Sequence, residues 1–259
     1  MLLQQSTFLR VEGVSVRFGG INALTDVSLN VPKNRVTSVI GPNGAGKTTL
    51  FNAISGFYPV ASGTIEFMNN DLVSKPASAR AHLGISRTFQ NLALFPGMSV
   101  LENIKLGVHP HLKAGLFAGL VYFGKARREE IEATRQIDES VLDMLDIREY
   151  RDKAVSGLPY GVLKRIELAR ALVMKPSLLL LDEPFAGMNH TDKSQMAVHI
   201  RRIIDNTDVT ALLIDHHMDS VMAMSDQITV LNFGKVIAAG TPDEVRRDKA
   251  VIDAYLGQD

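Results

Sequence analysis

Cysteine is absent from the 259-residue chain, which excludes disulfide scaffolds, cysteine zinc sites and thiol catalysis. The lack fits a reducing compartment. Net charge is absent too, with 28 Lys plus Arg against 28 Asp plus Glu. That balance disfavours a polybasic nucleic-acid binder, whose affinity comes from neutralising phosphates, and a solvating acidic tail. Long apolar runs are missing. The stretch 115–124 (GLFAGLVYFG) is far short of the ~20 residues a spanning helix needs. The opening residues lack a basic segment followed by an apolar one, so no signal peptide is expected. There is no internal repeat and no low-complexity tract. What remains is ordinary globular composition, 46% apolar and 22% charged, on a chain long enough to bury a core unaided.

The pattern along the chain predicts an α/β protein with a helical insert. Residues 8–18 and 27–31 alternate apolar and polar side chains, as half-buried antiparallel strands do. Residues 35–40 (RVTSVI) form a β-branched run that enters a glycine-rich turn, and 47–55 read as a helix that Gly56 caps. Further strands are expected at 64–67 and 85–89. Ser99 and Glu102 have capping-box spacing, and 125–147 reads as a long amphipathic surface helix. In the last third, 178–181 and 210–214 are continuous apolar runs, typical of strands buried on both faces. Helices are expected at 192–205 and 218–224. Strands at 227–232 and 235–239 flank a hairpin turn at Phe233 and Gly234. Strand–helix alternation of this kind indicates a parallel core.

Two motifs carry chemistry. Gly41, Pro42, Asn43, Gly44, Ala45, Gly46, Lys47 and Thr48 match G-x-x-x-x-G-K-[ST] in full, with Thr49 following. Its glycines allow backbone angles and a close approach that side chains would block. Successive N–H groups and a helix N-terminus then face phosphates. Lys47 would reach the β- and γ-phosphates, and the Thr48 hydroxyl would hold Mg²⁺. The second motif is Leu178-Leu-Leu-Leu-Asp182-Glu183-Pro184, which puts two carboxylates at the C-terminal edge of a buried strand, where such sheets bind ligands. Asp182 would hold Mg²⁺ and Glu183 would polarise the attacking water. The competing reading is a solvated acidic turn, which the neighbouring phosphate loop argues against.

With these residues in place the chain resembles the ATP-binding subunits of ABC transporters, over nearly its whole length. The resemblance implies a P-loop NTPase of the ABC ATPase type: an α/β core with an antiparallel β subdomain and a helical insert. It implies one domain over 1–259, with the core at 1–90 and 165–259 and the insert, carrying the signature motif, at 91–164. It identifies Gln90, in Arg87-Thr-Phe-Gln90, as the Q-loop residue that senses Mg²⁺ and water and faces a membrane partner. It identifies His216 as the switch histidine, contacting the γ-phosphate and orienting water with Glu183. The adjacent His217 reads as structural. Ala186-Gly-Met-Asn189 occupies the D-loop. Phe18 falls where an aromatic stacks on adenine, with core packing as the competing reading.

Leu158-Pro-Tyr-Gly-Val162 stands where Leu-Ser-Gly-Gly-Gln is usual. Tyr160 and Gly161 would address the phosphates of ATP held by the opposite subunit, through the helix N-terminus. Pro159 removes a hydroxyl and an N–H, and Val162 removes an amide. Within the family the chain is most similar to the ATPase of branched-chain amino acid importers, on Arg17-Phe-Gly-Gly20, Arg87-Thr-Phe-Gln90, the 111–119 loop and Tyr255-Leu-Gly257. That resemblance implies ATP and Mg²⁺ as cofactors, two membrane permease subunits, a second related ATPase subunit or a homodimer, and indirectly a substrate-binding protein. No nucleic-acid partner is expected. It places the chain in the cytoplasm, peripheral on the inner face of the cell membrane. Another cargo (lipopolysaccharide or urea) and a soluble non-transport ABC ATPase are the alternatives. His109-Pro-His111 reads as a loop and not a metal pair. The apolar residues 116–123 read as packing in the insert or against a partner.

Overall fold

A computed structural model describes residues 7–88, 92–107, 134–135 and 137–256. Gln90, the histidines at 109 and 111, residues 116–123 and Gly257 lie outside the described residues.

The described residues form two sheets. Strands β1 (Thr7–Phe18), β2 (Ile21–Pro32), β4 (Ser62–Phe67) and β5 (Asn70–Asp71) form an antiparallel sheet in the order β2-β1-β4-β5. The second sheet contains β3 (Val36–Ile40), β6 (Ile85–Arg87), β7 (Leu178–Asp182), β8 (Thr210–Ile214), β9 (Gln227–Asn232) and β10 (Lys235–Gly240), in the order β10-β9-β3-β8-β7-β6. Its strands run parallel except for β10, which pairs antiparallel with β9 at one edge.

β7 shows why the sequence folds this way. Leu178 and Leu180 face the antiparallel sheet and pack with Val11, Leu24, Phe51 and Ile65. Leu179 and Leu181 face the opposite side and pack with Ile166, Ile200 and Leu213. With successive side chains on alternate faces, only an uninterrupted apolar run satisfies both cores. Helix α1 (Lys47–Ser55) contributes Leu50, Phe51 and Ile54 to the first core. The second core takes residues from α3 (Val100–Lys105), α5 (Tyr160–Leu172) and α6 (His190–Asn206), among other helices. Among the described residues the remaining α-helices are α2 (Ala77–His82), α4 (Leu142–Met144), α7 (Met218–Met224), α8 (Pro242–Arg247) and α9 (Lys249–Leu256).

The local signals operate as expected. Gly56 ends α1 at φ 84°, and Ser99 and Glu102 form a reciprocal capping box on α3. Phe233 and Gly234, at φ 44° and 74°, turn the β9–β10 hairpin.

Three expectations need correction. The strand expected at 27–31 extends back to Ile21, because pairing of Phe18 with Ile21 continues the ladder to the glycine turn. The strand expected at 85–89 ends at Arg87 in the described residues. The helix expected to run through 147 does not stay regular. Ile137–Val141 winds as a wider π-turn, α4 follows for three residues, and Asp146 at φ 50° ends it. No described helix is long and apolar enough to cross a membrane.

Candidate functional site

Sheet order assembles the site. β3 leads into the phosphate loop, and its neighbour β8 ends beside Asp215 and His216. The next strand, β7, ends in Asp182, and Glu183 follows it; β6, beyond it, leads toward residue 90. Segments more than a hundred residues apart thus meet along one C-terminal sheet edge, where open α/β sheets bind ligands.

The phosphate loop is held by close backbone contacts. Gly41, at φ 150°, approaches β9 so closely that a Cβ there would lie 2.0 Å from the Leu231 carbonyl oxygen. Gly46, at φ 102°, approaches β2, and its Cβ would meet Leu24 at 2.7 Å and the Ala23 oxygen at 2.9 Å. From the β9–β10 turn, the Gly234 N–H donates to the Ala45 carbonyl (3.0 Å) and the Gly234 carbonyl accepts from Thr25 (2.8 Å). Leu50 N–H donates to the Gly46 carbonyl (2.9 Å), closing the first turn of α1.

The loop borders a cavity of about 460 Å³. Asn43, Gly44, Ala45, Gly46, Lys47, Thr48 and Thr49 line it, joined by Glu183 and by Phe233 from the hairpin turn. Gly41 and Pro42 sit behind it and engage Lys47, whose Nζ donates to their carbonyls at 2.6 and 2.9 Å. Burial lowers the Lys47 pKa from its ordinary value, while Glu183 and Asp215 act in the opposite sense.

Glu183 and His216 are brought together. Glu183 follows β7 at φ 48°, a left-handed conformation costly for a non-glycine residue. Its N–H donates to the Ile214 carbonyl (2.8 Å), and its Oε1 lies 3.9 Å from His216 Nδ1. His216 is half exposed and Glu183 mostly buried. Asp182 is buried, and its N–H donates to Thr88 Oγ1 at 3.2 Å. One carboxylate oxygen, Oδ2, accepts from Arg87 at 2.7 Å.

Sequence reasoning missed Asp215, which is fully buried. Its Oδ1 accepts from the N–H groups of His216 (2.7 Å) and His217 (2.9 Å) and from His217 Nδ1 (2.7 Å). Its Oδ2 accepts from the Phe185 N–H (3.1 Å). The carboxylate therefore ties the turn after Glu183 to the turn carrying His216. His217 is bonded to Asp215, and its ring lies tilted by 35° against that of His216 with centres 4.1 Å apart. A buried acid ending an apolar run was the available signal at Asp215.

Asp182 and His216 do not themselves line this cavity, and neither do Phe18, Tyr160 and Gly161. Phe18 is partly exposed and packs edge-on against Tyr58, with centroids 4.9 Å apart. Tyr160 opens α5 and lays its ring against Gly187, where a Cβ would meet it at 3.1 Å. Gly161 is buried in the same first turn, with the Asp192 carboxyl 2.8 Å from where a Cβ would stand.

Comparison with known proteins places this geometry. The family model described as ABC transporter matches residues 24–186, and the model described as branched-chain amino acid ATP-binding cassette transporter matches 235–259. The high-affinity branched-chain amino acid transport ATP-binding protein LivG of Salmonella typhimurium is 41% identical over 252 residues, covering 96% of this chain and 98% of that protein. The corresponding protein BraF of Pseudomonas aeruginosa is 40% identical over 250 residues, covering 96% and 98%. Among solved structures, the ADP conformation of an ATP-binding cassette of an ABC transporter is 32% identical, with a TM-score of 0.85 over 97% of this chain and 99% of that one. A nucleotide-free cassette gives 32% and 0.83, over 97% and 100%. Matched by the family model over more than half its length and by these relatives over nearly all of it, the chain belongs to the ABC transporter family as an ATP-binding cassette.

Proposed function

We propose that the chain is the ATP-hydrolysing subunit of an importer for branched-chain amino acids. The observation that carries the reading is the convergence of Glu183 and His216, 3.9 Å apart, beside the phosphate-loop cavity. The loop's N–H groups and the start of α1 suit a triphosphate. Lys47, now bonded to the carbonyls of its own loop, is placed to exchange those partners for phosphate oxygens.

The residues present also fit Mg²⁺. This ion takes hard oxygen donors, and the Thr48 hydroxyl and the Asp182 carboxylate are such donors. Arg87 engages Oδ2 of Asp182, and among the described residues no hydrogen bond to Oδ1 is seen. Bound there, Mg²⁺ would neutralise charge on the phosphates. Glu183 would accept the proton of the attacking water, and His216 would orient that water and contact the γ-phosphate. Catalysis of this kind is mainly positioning and charge stabilisation. Gln90 would complete the metal site and face the permeases. Phe18 would stack on adenine, and Tyr160 and Gly161 would serve the nucleotide on an opposing ATPase subunit.

Two membrane permeases and a second ATPase subunit, related or identical, would complete the transporter, served by a binding protein. The chain would lie peripherally on the inner membrane face. The relatives' transport of branched-chain amino acids supports the cargo. Two measurements test the reading. Glu183→Gln is expected to keep ATP binding while losing hydrolysis about a hundredfold or more; turnover like that of the unaltered chain refutes the catalytic assignment. In vesicles with its permeases and binding protein, the complex is expected to import leucine, isoleucine or valine only with ATP. ATP-driven uptake of another solute alone refutes the cargo.

A further inference from the structure

Arg87 lies three residues before Gln90 and belongs to none of the groups expected to touch nucleotide or metal. Its side chain is buried, as is that of Asp182. One terminal nitrogen donates to Asp182 Oδ2 at 2.7 Å. The other donates to Asn52 Oδ1 at 2.7 Å and to Ser55 Oγ at 3.2 Å, both on α1. The guanidinium carbon stands 5.7 Å from the Phe51 ring centre and 5.8 Å from that of Phe57, within range of cation–π attraction.

We propose that Arg87 is a positioning residue that sets the Mg²⁺ affinity of the site by fixing Asp182 relative to α1. The inference rests on the reading of Asp182 and Thr48 as metal ligands. Those two residues sit on different elements, one at the end of β7 and one in the first turn of α1. Arg87 bridges those elements directly, through one rigid planar group. Its neighbour Thr88 adds a second hold on β7, accepting from the Asp182 N–H and donating its own N–H to the Leu180 carbonyl at 3.0 Å. Arg87 and Thr88 therefore hold Asp182 by its carboxylate and by its backbone N–H respectively.

A buried ion pair is a poor source of stability, because desolvating two charges offsets their attraction. Orientation is the better account here. The pair uses one carboxylate oxygen, so the other can face a metal without displacing the arginine. A lysine, a point charge on a flexible stem, cannot span Asn52, Ser55 and Asp182 together.

The test uses the full chain and a fluorescent ADP analogue, titrated in EDTA and over a series of Mg²⁺ concentrations. Arg87→Met is expected to raise the Mg²⁺ concentration for half-maximal effect about tenfold, with affinity in EDTA within about twofold of the unaltered chain. Asn52→Ala, which keeps the charge but removes the shorter of the two bonds that hold the guanidinium to α1, is expected to shift it about threefold in the same direction and covers the case of a misfolded arginine variant. A merely structural role predicts equal losses with and without Mg²⁺, and that result overturns the proposal. So does Mg²⁺-dependent binding that neither variant alters. Binding by the unaltered chain that ignores Mg²⁺ removes the metal assignment itself, and this inference with it.

Discussion

Asp215→Asn separates the support of the site from its chemistry. The native carboxylate is fully buried and accepts four hydrogen bonds, three on Oδ1 and one on Oδ2. Asparagine has a single acceptor oxygen. If that oxygen keeps the three bonds from His216 and His217, the amide NH₂ faces the Phe185 N–H, donor against donor. A buried N–H left unpaired costs about 1–3 kcal/mol. The three surviving bonds lose their charge assistance, worth roughly 0.5–1 kcal/mol each. The total is about 2.5–6 kcal/mol, a large share of the roughly 5–15 kcal/mol that holds a typical protein folded. Rotating the amide instead satisfies Phe185 and strands three donors, which is worse. Because the bonds join the turn after Glu183 to the turn bearing His216, turnover should fall along with stability, even though Asp215 does not line the cavity. Urea denaturation and single-turnover ATP hydrolysis measure the two effects. A stability loss below about 1 kcal/mol refutes the hydrogen-bond argument. A large loss with unaltered hydrolysis by the folded fraction refutes the link to Glu183 and His216.

Gly41→Ala should destabilise the chain and abolish nucleotide binding, because its Cβ would stand 2.0 Å from the Leu231 carbonyl oxygen; calorimetric unfolding close to that of the unaltered chain would contradict the packing. Lys47→Met should weaken ATP binding by more than tenfold while changing stability at neutral pH by about 1 kcal/mol or less, since it removes two hydrogen bonds and one desolvated charge. Lys47 also gives a signed pH dependence. Its folded pKa is lowered below its unfolded value of 10.5, so between the two the unfolded chain binds more protons and stability rises with pH. The unaltered chain should thus gain on Lys47→Met as alkaline pH approaches 10.5, and a constant difference across that range would refute the burial of the charge. Phe18→Ala should cost about 1–3 kcal/mol of ATP affinity if the ring stacks on adenine; lowered thermal stability with unchanged affinity would leave only its packing on Tyr58.

Much of the fold was legible because its signals are local. The run from Leu178 to Leu181 could satisfy only a strand buried on both faces, and the two cores confirm it face by face. Gly56 and Ser99 stop and start helices through their own backbone and side-chain chemistry. The 137–147 segment departs from the expected helix because apolar spacing does not distinguish a wider π-turn from a regular helix. At the site, the phosphate loop and the Asp182–Glu183 pair announced themselves by pattern. Arg87 and Asp215 did not as supports, because a side chain's partner across a sheet leaves no mark on its neighbours in sequence.

The sequence alone determined the phosphate loop, the acid-ended strand, the absence of charge bias and cysteine, and the family. The two motifs depend on residues close together in the chain, whose backbone angles and side-chain chemistry act locally, while the absences and the family are read from the chain as a whole. Only the tertiary structure decided that β8 lies between β3 and β7. That order puts His216 3.9 Å from Glu183, and the β6–β7 pairing beside it lets Arg87 reach Asp182. Strand order arises from burying two apolar faces at once, a property of the whole sheet and not of any segment within it.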